Sequence, residues 1–285
     1  MIVWLSSYPK SGNTFVRSLL ASYIFTKDGN FNFNSLKNIS QFPDITFFEK
    51  LGVDINNEKE VVKNYIRAQE AINKDKKKSI VFLKTHSTLH SIDNQRFTNF
   101  NNTLGVIYIV RDPRSIVLSY SNHNQISVEQ AAKSLISFRV LGGVKGSKIA
   151  ADRGLTHVGS WSSHYNIWKD FKISKKYLLI KYEDLVSDTE ASFLKILNFI
   201  YYLGKSKLVL DKTKFQNAIN STRFENMQKL EKNSYFEEAK VDRNNNPITF
   251  FKYGPQNDWQ KNLPINIIKM IENKFKIEMK ELGYL

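Results

Sequence analysis

Cysteine is absent from this chain of 285 residues. That excludes disulfides, thiol catalysis and cysteine-ligated metal, and it fits a reducing compartment. Long apolar runs are missing too: no stretch approaches the roughly 20 apolar residues that cross a bilayer as a helix. The opening, MIVWLSSYPKSGN, has no basic leader and no small-residue cleavage site. The expectation is a soluble, cytoplasmic protein without a membrane span. Acidic residues are few, 27 against 42 lysines and arginines, which leaves a net charge of +15. Such a surplus points to an anionic partner: nucleic acid, a membrane surface or a polyanionic small molecule. Lysine-rich stretches such as NKDKKKS and KISKKY read as solvated surface and account for much of it.

Core material is plentiful. Apolar residues make up 41% of the chain, with 20 Phe and 13 Tyr. The length suits one large α/β domain over residues 1–285. Short apolar runs alternate with helical patterns. IVWLSS (2–7), SIVFLKTH (79–86), LGVIYIVR (104–111) and the start of YLLIKYEDL (177–185) read as strands. Helices follow through TFVRSLLASYIF, after Asp112-Pro113, after Ser187-Asp188, and as one final helix through INIIKMIENKFKIEMKEL. This order predicts a three-layer α/β/α fold with a mostly parallel central sheet. Three stretches look irregular: 26–57, the glycine-bearing 139–160, and 239–262. Lid or acceptor-pocket segments are expected at 26–78, 121–160 and 239–262.

Three motifs carry chemistry. SSYPKSGNTFVRSLL (6–20) is a strand, a turn with Pro9 and Gly12, and a helix. Backbone N–H groups and a helix N-terminus meet there, beside Lys10, Ser11, Asn13 and Thr14, which makes a phosphate cradle. It is not a Walker A loop, because Gly12 is followed by Asn13 and the lysine precedes the glycine. FLKTH (82–86) sets Lys84 and His86 two apart on a strand, so both face one side, a cation beside a base. VIYIVRDPRSIVLSY (106–120) ends a strand on Arg111 and carries Ser119 about two turns into the next helix. A strand-end arginine grips phosphate in a forked geometry, or pairs with a carboxylate such as Asp112. All three motifs lie at one edge of the predicted sheet, where open α/β sheets bind ligands.

With these residues in place, the sequence resembles the PAPS-dependent sulfotransferases, where PAPS is 3′-phosphoadenosine 5′-phosphosulfate. YPKSGNTF resembles their 5′-phosphosulfate loop, LKTH the segment with their catalytic histidine, and IVRDPRSIVLSY their 3′-phosphate motif. IKYEDL, STRFENMQ and KYGPQNDWQKNL match further nucleotide-site segments, the last being a C-terminal loop usually written RKGxxGDWK. The resemblance implies a P-loop nucleotide-kinase-like fold and PAPS as co-substrate, leaving 3′-phosphoadenosine 5′-phosphate (PAP). It assigns Lys10, Ser11, Gly12, Asn13 and Thr14 to the 5′-phosphate, and Arg111 and Ser119 to the 3′-phosphate. Phe15, Tyr182, Thr222 and Phe224 would surround the adenine, and Lys252 and Gly254 belong to the closing loop. His86 would be the base, with Lys10 and Lys84 also catalytic. Phe15 stands where the family has Trp, and Tyr253, Asn257 and Gln260 also depart from its pattern.

The implied reaction is in-line sulfonate transfer to a hydroxyl or amine of a small-molecule or glycan acceptor. Positioning and electrostatics dominate it, and no metal is required. A P-loop kinase is disfavoured by the missing Walker lysine. A nucleic-acid-binding protein is disfavoured because the sharpest basic residues sit singly at strand ends. His90, His123, His157 and His164 show no metal-ligand spacing; His123 is a minor candidate for the acceptor pocket. Trp259 reads equally as core packing.

Overall fold

The computed structural model describes residues 1–75, 80–142, 155–234, 236, 238–242, 244–254 and 257–285. Four strands build the central sheet: β1 (Ile2–Ser7), β2 (Val81–Thr85), β3 (Thr103–Val110) and β4 (Tyr177–Lys181). Their order is β2-β1-β3-β4, and every pairing is parallel. β1 ends where the apolar run suggests, while β2 and β3 each end one residue earlier than read. His86 and Arg111 therefore stand just beyond β2 and β3 rather than on them.

Both faces of the sheet are covered, because successive strand residues point to opposite sides. Val3, Leu5, Ile107 and Ile109 pack against α1 (Asn13–Phe25), α5 (Thr189–Leu203) and α6 (Lys212–Ser221). Ile2, Trp4, Val106, Tyr108 and Val110 face the other way, toward α2 (Pro113–Asn124), α3 (Trp161–Lys169) and α8 (Ile265–Lys274). The chain also forms α4 (Tyr182–Ser187), α7 (Phe224–Asn233) and, after α8, α9 (Lys276–Glu281). Trp4 is fully buried among Phe42, Phe97 and Trp168, and its Nε1 donates to Thr103 Oγ1 at 3.0 Å. Burying such a side chain stabilises the fold by about 1.5–3 kcal/mol. The three-layer α/β/α expectation holds.

Two local expectations change. The final helix is two helices, α8 and α9, parted at Phe275 (φ −113°, ψ 20°). Phe275 is fully buried against Trp161, with ring centroids 5.0 Å apart, and the chain bends to put it there. The stretch 26–57 also has more order than its composition suggests. It contains a 3-10 turn over Phe33–Asn38 and a helix over Ile45–Glu49, and it buries Phe31, Leu36, Ile39, Phe42 and Phe48. In 139–160, Val140–Leu141 pairs with Thr156–His157. The glycines at 143, 146 and 154 lie outside the described residues. No helix among the described residues is long and apolar enough to cross a membrane.

Candidate active site

The loop after β1 begins the site. Lys10 (φ 68°) and Gly12 (φ 99°) both adopt the left-handed conformation, which turns the chain sharply into α1. Gly12 is the N-cap of α1, and no side chain caps it. By contrast, Asp112 caps α2 by accepting from the Arg114 N–H. An uncapped N-terminus leaves N–H groups and the positive end of the helix dipole turned toward the cavity. Asn13 turns its side chain away, donating to Leu5 O at 2.9 Å and Ser7 Oγ at 3.2 Å. Ser11 is fully buried, and its Oγ has no partner. Burial among other cations pushes the Lys10 ammonium down to about 7.

The end of β2 brings in Lys84 and His86. His86 Nδ1 lies 2.7 Å from Ser7 O, a carbonyl that can only accept. The proton therefore sits on Nδ1, and Nε2 is the basic nitrogen. Burial, then the charge of Lys84, holds the ring down to about 3, so it is neutral. Beneath it His164 is fully buried, its Nε2 bonding His86 O at 3.2 Å and its Nδ1 Tyr108 Oη at 2.8 Å.

Arg111 reaches back across the sheet edge, and its Nη1 donates to Lys10 O at 3.2 Å. Its guanidinium lies 4.1 Å from the centre of the Tyr182 ring, and its buried Nε has no partner among the described residues. The alternative pairing of Arg111 with Asp112 does not occur, because Asp112 is held by Arg114 at 2.7 Å. Two glycines press on aromatic rings. A Cβ on Gly12 would meet Tyr182 at 2.4 Å, and one on Gly254 would meet Phe224 at 2.5 Å. The Thr222 hydroxyl is committed to Ala218 O at 2.7 Å. Lys252 Nζ donates to Asn122 Oδ1 at 2.9 Å, tying the C-terminal loop to α2. Asn257, one of the departures, donates its amide to Ser115 O at 2.9 Å and so anchors the same loop. Trp259 is half-buried under the Arg114 guanidinium, 3.8 Å away.

Lys10, Gly12, Lys84, His86, Arg111, Tyr182 and Phe224 line one cavity of about 740 Å³, within the range of small-molecule sites. Of the residues that the resemblance assigns to the donor or the base, Ser11 alone is missing from its wall. Among the described residues the wall carries Lys10, Lys84, Arg111, Arg223, Lys240 and Lys252 against Glu225 and Glu238. Gln41, Tyr120, Asn122, His123, Asn124 and Phe250 line it as well. His123 packs edge-on against Phe250, and burial lowers its basicity. An excess of cations around orphaned donors is the chemistry of an anion site, and it fits a ligand with several phosphate groups.

Glu238 and Arg17 escaped the sequence reading. Glu238 Oε1 takes Lys84 Nζ at 2.8 Å and also Arg17 Nη1; Oε2 accepts from Thr14 Oγ1 at 2.9 Å. Nothing local marks Glu238, which lies 224 residues from Thr14. Arg17 had a signal: it stands three residues after Thr14, on the same helix face.

A family model described as "Sulfotransferase domain" matches residues 2–283. Amine sulfotransferase of Oryctolagus cuniculus is 25% identical over 186 residues, covering 64% of this chain and 56% of the relative. Sulfotransferase 2A2 of Rattus norvegicus is 27% identical over 204 residues, covering 69% and 63%. The matched stretch thus spans less than two thirds of either relative. Among solved structures, mouse sulfotransferase SULT7A1 complexed with PAP superposes with a TM-score of 0.58 at 18% identity, covering 97% of this chain and 83% of that one. That likeness is one of fold.

Proposed function

Since this chain belongs to the sulfotransferase-domain family, we propose that it moves a sulfonate group from PAPS to a hydroxyl or amine of a small-molecule or glycan acceptor. One observation carries the reading: the uncapped N-terminus of α1, Lys10, Lys84, Arg111 and a neutral His86 converge on one cavity. The loop 10–14 and Lys10 hold the 5′-phosphate of the donor. Arg111 and Ser119 hold the 3′-phosphate, with Lys252 and Gly254 closing over it. Phe15, Tyr182, Thr222 and Phe224 enclose the adenine. Segments 26–78, 121–160 and 239–262 frame the acceptor within a single domain.

The acceptor oxygen or nitrogen attacks sulfur, the bond from sulfur to the 5′-phosphate oxygen breaks, and PAP leaves. The acceptor proton passes to His86 Nε2, the nitrogen left basic by the bond from Nδ1 to Ser7 O. By itself His86 is a weak base, held near 3 by burial and Lys84. A polyanionic donor offsets the Lys84 charge and raises the ring toward a useful range. Lys10 and the loop N–H groups stabilise charge growing on the leaving phosphate.

The test is an acceptor screen with labelled PAPS, run beside His86→Ala. Label is expected in an acceptor with wild type. The variant should bind PAP normally and lose about 10²–10⁴-fold in turnover. Turnover within threefold of wild type would remove His86 from the role of base.

A further inference from the structure

Thr14, Arg17 and Lys84 converge on a single anion, the carboxylate of Glu238. Thr14 Oγ1 donates to one oxygen at 2.9 Å, while Lys84 Nζ (2.8 Å) and Arg17 meet at the other. Both cations and the carboxylate are largely withdrawn from solvent, with side-chain exposures of 7% for Arg17, 5% for Lys84 and 12% for Glu238. Three donors from two separate elements, α1 and β2, thus form a built oxyanion site at the wall of the cavity. Its occupant is a side chain from a distant connection, between α7 and the short strand Lys240–Val241.

We propose that the phosphosulfate end of the donor competes with Glu238 for Thr14, Lys84 and Arg17, and that Arg17 is therefore a donor-binding residue. The proposal rests on the sulfotransferase reading above. Its physical basis is competition. A threonine hydroxyl has one hydrogen, and Thr14 gives it to Glu238. Two anions cannot share one buried set of donors without strong repulsion. The carboxylate and the sulfonate each carry one negative charge, so the exchange leaves the charge of the site unchanged and never strands Arg17 or Lys84 unpaired. Phe236 is buried at 4% exposure and anchors the segment two residues before Glu238. The exchange is accordingly a side-chain rotation of Glu238 between staggered rotamers. A protein whose binding-competent form is only a fraction of the whole binds its ligand more weakly by that fraction. Glu238 thus sets the affinity for the donor.

The experiment measures dissociation constants of PAPS and PAP by calorimetry, without acceptor, for wild type, Glu238→Gln, Arg17→Gln and the double variant. Melting temperatures confirm that each is folded, and the double variant removes both buried charges together. Glu238→Gln should tighten PAPS about tenfold, and by more than it tightens PAP, which lacks the sulfonate. Adding Arg17→Gln should reverse the PAPS gain and change PAP by less than about threefold. The ratio of the two constants decides the matter, because a merely structural role for Arg17 and Glu238 shifts both ligands alike. If both ligands bind wild type and the ratio is the same in all four proteins, or Glu238→Gln weakens PAPS, the exchange is wrong and the sulfotransferase reading stands. If wild type binds neither ligand, the sulfotransferase reading itself fails.

Discussion

A Cβ atom on Gly12 would lie 2.4 Å from Cδ2 of Tyr182. The loop after β1 and the first residue of α4 are therefore in backbone-to-ring contact that only glycine permits. Gly12 also has φ of 99°, where a side chain is strained in any surroundings. Arg111 lies 4.1 Å from the same ring, so moving Tyr182 disturbs the guanidinium too.

Gly12→Ala is expected to damage binding more than folding. The left-handed backbone costs about 1–2 kcal/mol in stability. Displacing Tyr182 and Arg111 should weaken PAP by at least about tenfold. Calorimetry and a melting curve on the same preparation check both. A variant that binds PAP as wild type does would show that the Gly12–Tyr182 contact does not shape the nucleotide site.

Lys10 predicts a proton linkage. Its ammonium is pushed from 10.5 to about 7 by burial, then by Arg111, Lys84 and Lys240, with Glu238 opposing. Above pH 7 Lys10 is therefore largely uncharged on its own. A bound phosphate favours the charged form and draws a proton in. PAP binding should take up a proton at pH 8, and affinity should fall as pH rises from about 7 toward 10. Calorimetry at pH 8 in two buffers of different ionisation enthalpy measures the uptake. Lys10→Arg, charged throughout, should abolish it; equal apparent enthalpies in both buffers with wild type would contradict the linkage.

Much of this was legible in the sequence, for physical reasons. β1, β2 and β3 are buried on both faces, so each reads as an unbroken apolar run, and the edge they share follows from parallel pairing. Lys10, Gly12 and Arg111 sit in or just after the turn at a strand end, where local pattern and position in the fold coincide, and Ser119 follows within the next helix. Glu238 was invisible because Lys84, Arg17 and Thr14, which it meets, lie 154, 221 and 224 residues away. The break at Phe275 was invisible because the apolar period runs through it, and only the Trp161 ring explains the bend. Residues 31–48 misled because a stretch rich in Asn and Phe resembles loop, while packing orders it through buried Phe31, Phe42 and Phe48.

Buried histidines predict acid lability. His86 and His164 are each held down to about 3 from an ordinary 6.5, mainly by burial, and His123 is lowered by the same cause. Above pH 6.5 they are neutral whether the chain is folded or not, and they add no pH dependence. Between about 6.5 and 3 the unfolded chain takes up protons that the folded one refuses. Stability therefore falls with pH across that window, by at most about 1.4 kcal/mol per pH unit for each group. Melting temperature should decline steadily from pH 6.5 to 4 in the ligand-free protein. His164→Gln, which cannot titrate, should flatten the slope by about a third. A slope unchanged in that variant would mean that His164 titrates alike in both states.

Arg111 and Lys10 should be separable by the donor they act on. They are joined by the bond from Arg111 Nη1 to Lys10 O, yet their charged groups start from different strand ends. Arg111 stands beside α2, which carries Ser119, and both line the cavity. Lys10 Nζ lies 3.6 Å from the centre of the Phe250 ring, among the groups around Glu238. The proposed function puts the 3′-phosphate at Arg111 and the leaving phosphate at Lys10. A charge-assisted contact is worth about 1.5–3 kcal/mol, or roughly ten- to 150-fold. Wild type should therefore prefer PAPS by about that factor over the analogue without the 3′-phosphate. Arg111→Ala should lower kcat/KM for PAPS by the same factor and leave the analogue nearly unchanged, so the preference vanishes. Lys10→Ala should lower both donors and act mostly on kcat, because its charge is needed as the leaving group develops. The measurement is kcat/KM for both donors in the three proteins. If Arg111→Ala lowers both donors equally, Arg111 does not read the 3′-phosphate and the two positions must be reassigned.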